Sequence, residues 1–74
     1  MPRLTPVHYK ALIKVFRQVG FSIDRQTSSH ILMTKKNIPR PLVIPAYDEV
    51  EVSIIRGLLR SAGMSRSEYF RLLH

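Results

Sequence analysis

The spacing of apolar residues changes twice along this chain. Leu12, Val15, Phe16 and Val19 recur at helical intervals, residues 21–26 alternate one by one, and from about Val52 the longer interval returns through Ile54, Ile55, Leu58, Leu59 and Ala62. A period near 3.6 and a period of 2 belong to different elements, so the chain has to combine helices with a sheet. The helical stripes must then be buried against that sheet.

The punctuation sets the boundaries. Thr5-Pro6 reads as a helix start, with threonine as the cap and proline in the first turn, and Gly20 as its left-handed end. FSIDRQ, residues 21–26, sets Phe21, Ile23 and Arg25 on one face and Ser22, Asp24 and Gln26 on the other, as in a half-buried strand. Thr27-Ser28-Ser29 forms a polar turn. HILMTK, residues 30–35, is a second strand, Lys36-Asn37 with Ile38-Pro39-Arg40 the next turn, and PLVI, residues 41–44, a third strand bracketed by prolines. The second long helix runs from about Val52 to its terminator Gly63. Ser65-Arg66-Ser67-Glu68 matches a capping box, flanked by Met64 and Tyr69 as a hydrophobic staple, which predicts a short last helix over 66–73. The predicted fold is a two-layer α+β domain spanning residues 1–74. It has a three-stranded antiparallel sheet with the helices on one face, in the order α-β-β-β-α plus a short C-terminal helix. The other sheet face is left for a partner.

Composition narrows what such a fold can do. At 74 residues without cysteine, neither a large ligand cavity nor a disulfide or thiolate site is expected, and stability rests on packing or on a partner. The apolar runs are too short to span a membrane and MPRLTPVHYK lacks a signal-peptide core, so the expectation is a cytoplasmic protein. Twelve lysines and arginines against five acidic residues give a net charge of +7, with Asp48, Glu49 and Glu51 crowded into one stretch. That excess suits a polyanionic partner: nucleic acid, an anionic surface or an acidic protein.

Within QTSSHILMTKK, residues 26–36, His30 stands between a polar turn and an apolar strand. An imidazole with an unperturbed pKa of about 6.5 takes or gives a proton at neutral pH, which suits attack by an RNA 2′-hydroxyl on its neighbouring phosphate. Ser28 and Ser29 are candidates to orient the ring or bind a phosphate oxygen, and Arg25, Lys35, Lys36 and Arg40 to hold the RNA backbone and developing charge. A strand histidine that is merely solvated or packed explains the same pattern. The other histidines carry plainer readings: His8 as a helix-flank residue and His74 as a terminal one, so no metal site is assigned. The acidic run is placed to favour the dipole of the following helix rather than to bind a cation. Phe16 and Phe21 are assigned to the core. Tyr47, in a loop near the third strand's end, is the aromatic candidate for stacking on a base.

VFRQVGF (15–21), SSHILM (residues 28–33), LVIP (42–45) and IIRGLLRSAGMSRSEYF (54–70) together resemble the HicA family, the toxins of HicA–HicB toxin–antitoxin pairs. The likeness covers nearly the whole chain and lies in the ordered combination, since no single motif is long. It implies a fold like a double-stranded-RNA-binding domain, metal-independent cleavage of mRNA without a cofactor, a HicB-like antitoxin as partner, and His30 as the catalytic histidine. Three positions depart from the family pattern. Ser28 replaces the glycine of Gly-Ser-His, which predicts backbone strain if the turn needs a positive φ. Ala46-Tyr47 follows Pro45 where many members have a histidine, and Val52-Ser53 replaces glycine-threonine. A non-catalytic RNA-binding module, or a toxin remnant that only binds its antitoxin, are the competing expectations.

Overall fold

The computed structural model describes residues 3–73; the terminal His74 lies outside them. Three helices and one antiparallel sheet follow in the order α1 (Tyr9–Gln18), β1 (Ser22–Gln26), β2 (His30–Thr34), β3 (Leu42–Pro45), α2 (Val52–Ala62) and α3 (Arg66–Leu73). The strands form a meander, β1-β2-β3, with β2 in the centre. This is the predicted α+β architecture.

Ile31 and Met33 of β2 and Leu42 and Ile44 of β3 are fully or almost fully buried, packed with Leu12, Val15 and Phe16 of α1 and Ile55, Leu58 and Leu59 of α2. Each such side chain withdrawn from water contributes roughly 1.5–3 kcal/mol, which is why the helices settle on that face. The opposite faces of the same strands carry exposed His30 and Val43 and half-buried Leu32. The two long helices end alike. After α1, Gly20 (φ 101°) donates to the Arg17 carbonyl at 3.1 Å and Phe21 to that of Phe16 at 3.1 Å; after α2, Gly63 (φ 69°) donates to Arg60 at 3.2 Å and Met64 to Leu59 at 2.9 Å. Both are Schellman closures, and the Phe21 ring completes the first by meeting Phe16 edge-on at 5.8 Å.

Three expectations need correction. The first helix does not start at Thr5-Pro6: Val7 is drawn into an antiparallel bridge with Val50 (Val50 N–H to Val7 O, 2.7 Å), so His8 becomes the cap, its Nδ1 accepting the Lys10 N–H at 3.2 Å. A long-range backbone pairing has outweighed a local start signal. Arg25 does not share a face with Ile23, because the register shifts between Ile23 and Arg25 and leaves Arg25 opposite Leu32 and Ile23 opposite Met33. A one-residue bulge transfers the side chains beyond it to the other face. The third strand is displaced by one residue to include Pro45, whose missing N–H is tolerated at the end of an edge strand.

Candidate functional site

Thr27 builds the turn that presents His30. Its Oγ1 accepts the backbone N–H groups of Ser29 (3.3 Å) and His30 (3.1 Å), and its own N–H donates to the His30 carbonyl at 2.9 Å. Threonine favours such local side-chain-to-backbone bonds, and here they close the hairpin without a left-handed residue. The strain expected at Ser28 is therefore not found. Among the described residues Asn37, with φ 74° in the turn closed by the Ile38 N–H and the Lys35 carbonyl, is the one non-glycine residue with positive φ.

His30 opens β2 on the sheet's open face and is exposed to solvent. Its Nδ1 lies 3.2 Å from Ser29 Oγ. With the serine hydroxyl donating, Nδ1 is unprotonated and the ring proton resides on Nε2; in the imidazolium the serine accepts instead. Either way the serine braces one nitrogen, and Nε2 makes no hydrogen bond among the described residues. Across the ladder His30 faces Pro45, and the Ala46 N–H donates to the Ser29 carbonyl at 2.9 Å. Tyr47, 51% exposed, follows directly.

The loop bearing Tyr47 is tied to the entry of α1. The Tyr9 N–H donates to the Tyr47 carbonyl at 3.1 Å, Val7 and Val50 pair through their backbones, and His8 Nε2 lies 3.4 Å from Asp48 Oδ1. Asp48 thus meets the histidine that caps α1, while Glu51 caps α2 without a side-chain hydrogen bond. No group of three or more His, Cys, Asp or Glu side chains able to hold a metal ion occurs among the described residues.

Fold and register therefore gather His30, Ser28, Ser29 and Tyr47 at one end of the sheet, with Arg25 one step along the open face beside Leu32. Lys35, Lys36 and Arg40 are not beside His30. They lie at the far end of the strands, with β2 between them, and four strand steps from His30 to Thr34 already cover about 13 Å. Lys35 has a packing role there: its ammonium sits 5.7 Å from the centre of the Phe21 ring, and its stem passes over Gly20. A cradle of cations around the histidine, expected from the sequence, is thus reduced to Arg25. Thr27 and His8 are the two contributors that sequence reading missed. A threonine three residues before a strand-opening histidine was a usable signal for the first; histidine is too uncommon as a helix cap to have revealed the second.

A search of curated proteins returned no match. No helix among the described residues is long and apolar enough to cross a membrane. The family model described as the HicA toxin of bacterial toxin–antitoxin systems matches residues 9–64, from the first residue of α1 to the closure of α2, and so covers most of the 74-residue chain, including the His30 hairpin and the Tyr47 loop. The chain belongs to the HicA toxin family.

Proposed function

We propose that this toxin is a cytoplasmic endoribonuclease that cleaves mRNA with His30 as its general acid or base, blocks translation, and is silenced by a HicB-like antitoxin covering the site. The observation that carries the reading is an imidazole exposed at the strand mouth, braced at Nδ1 by Ser29 and with Nε2 open to a substrate. In the reaction the base takes the proton of an RNA 2′-hydroxyl. The 2′-oxygen bonds to the adjacent phosphorus, the bond to the 5′-oxygen breaks, and that oxygen takes up a proton. Arg25, on the same sheet face, supplies positive charge toward the phosphate, and Ser28 offers a hydroxyl to its oxygens while Ser29 holds the ring. All these groups come from the chain itself, so cleavage is expected to proceed in chelator. Its net charge of +7 supports a polyanionic substrate.

His30→Ala removes an exposed side chain, so its thermal midpoint should stay near that of the wild type while RNA cleavage and growth arrest are lost. Cleavage by this variant at the wild-type rate sinks the mechanism. A folded wild type that binds RNA in chelator and generates no new ends is the binding-only module instead.

A further inference from the structure

Resting on the nuclease reading, we infer that the substrate is single-stranded RNA laid along β2 on the open face of the sheet, running from His30 towards Lys36 and Arg40. The ladder pairings order that face into rows. His30 lies beside Pro45, then Arg25, Leu32 and Val43 stand abreast, then Ser22 and Thr34, and the turn carrying Lys36 and Arg40 lies beyond. The middle row is amphipathic: Val43 is 47% exposed and Leu32 partly so, with exposed Arg25 across the ladder from Leu32. Asp24, at the bulge, is the one carboxylate in the three strands.

This surface fits a single strand better than a duplex. In an A-form helix the base faces are stacked away, and the exterior offers phosphates and 2′-hydroxyls, leaving Leu32 and Val43 nothing apolar to cover. An unpaired strand has base faces to lay on them, with Tyr47 at the His30 end for a further base. The chemistry agrees, because the 2′-oxygen must approach phosphorus in line with the departing 5′-oxygen, a geometry a flexible strand reaches and a stacked duplex does not. The distance that removes Lys36 and Arg40 from the scissile phosphate then gives them another task. The roughly 13 Å from His30 to Thr34 is at most about four nucleotides at the ~3.4 Å rise of a stacked strand, so these cations meet flanking phosphates.

The test compares cleavage of one RNA sequence as an octanucleotide, as a dinucleotide and as a blunt duplex, using the full chain. Wild type should cut the single-stranded octamer at least tenfold faster than the duplex. Val43→Asp places a carboxylate on the exposed row and should raise KM for the octamer about tenfold with kcat retained, whereas the isosteric Val43→Thr should have a smaller effect; circular dichroism checks that both fold. In Lys36→Gln/Arg40→Gln the ratio of kcat/KM for octamer over dinucleotide should fall about tenfold. Equal cutting of duplex and single strand, or a wild-type KM in Val43→Asp, overturns the assignment. Loss of antitoxin binding in Val43→Asp with unchanged octamer cleavage also overturns it, giving the face to a protein. His30→Ala separates the two levels: cleavage by that variant at the wild-type rate rejects His30 as the catalyst, whereas an inactive His30→Ala beside an unaffected Val43→Asp rejects the RNA path alone.

Discussion

His30 depends on a neighbour that never touches its ring. The Thr27 hydroxyl holds the backbone N–H groups of Ser29 and His30 and so sets both the imidazole and the serine that braces it. Each such bond is worth about 1 kcal/mol, and 1.36 kcal/mol of lost transition-state positioning is tenfold in rate. Thr27→Val keeps the side-chain shape and removes the hydroxyl. It is expected to lower kcat for RNA cleavage about tenfold with KM little changed, measured at a temperature where circular dichroism shows the variant folded. A threonine that only stabilised the hairpin would lower the melting temperature and leave kcat intact.

Among the elements, α3 lies just beyond the part of the chain matched to the family, yet it is anchored. Ser65 Oγ accepts the Glu68 N–H at 3.1 Å, and Met64 and Tyr69 are both buried around that cap. The Glu68 carboxylate lies 3.6 Å from Arg71, so the serine half of the expected capping box is seen while the glutamate turns along the helix. Gln18 of α1 donates from Nε2 to the Leu72 carbonyl at 2.9 Å, tying the two helices. Tyr69 is 1% exposed and its hydroxyl has no hydrogen-bond partner among the described residues, a cost of about 1–3 kcal/mol, and burial raises its phenol above the usual pKa of 10.0. Tyr69→Phe should therefore stabilise the protein by about 1 kcal/mol, a rise in melting temperature of roughly 4–8 °C. The pH dependence has a definite sign. The stabilisation that comes with a raised folded-state pKa is complete below pH 10 and is lost as pH climbs through the folded value, because the unfolded phenol ionises first. Denaturant melts from pH 9 upward should show a steeper alkaline decline in wild type than in Tyr69→Phe; parallel curves would mean that the folded phenol ionises as easily as the unfolded one.

For the whole molecule, the net charge of +7 favours a polyanion, and the number of phosphates engaged sets how binding responds to salt. Arg25, Lys36 and Arg40 engaging three phosphates release counterions at about 0.7 per phosphate for a single strand, a slope near −2 in log K against log salt. Titrating a labelled oligonucleotide with the His30→Ala variant across a salt series measures it without cleavage, and a flat dependence would exclude phosphate contacts.

The element order, both glycine closures and the core stripes were legible because each is written in local chemistry: apolar spacing, a left-handed glycine, a serine cap. His30 was legible as a candidate for the same reason, standing between a polar turn and an apolar strand. Arg25's face was not, since alternation alone cannot reveal a bulge, and neither was the start of α1, decided by Val7 meeting Val50 from the loop before α2. The grouping of cations was misjudged because neighbours in sequence separate by about 3.3 Å per residue once drawn out as a strand. By itself, then, the sequence determined which segments are helix or strand, which side chains are core and which histidine stands at a strand mouth, since those follow from interactions within a few residues. Which groups share a surface with that histidine was decided only by the tertiary structure, because register, bulge and bridge arise from backbone pairings between distant segments.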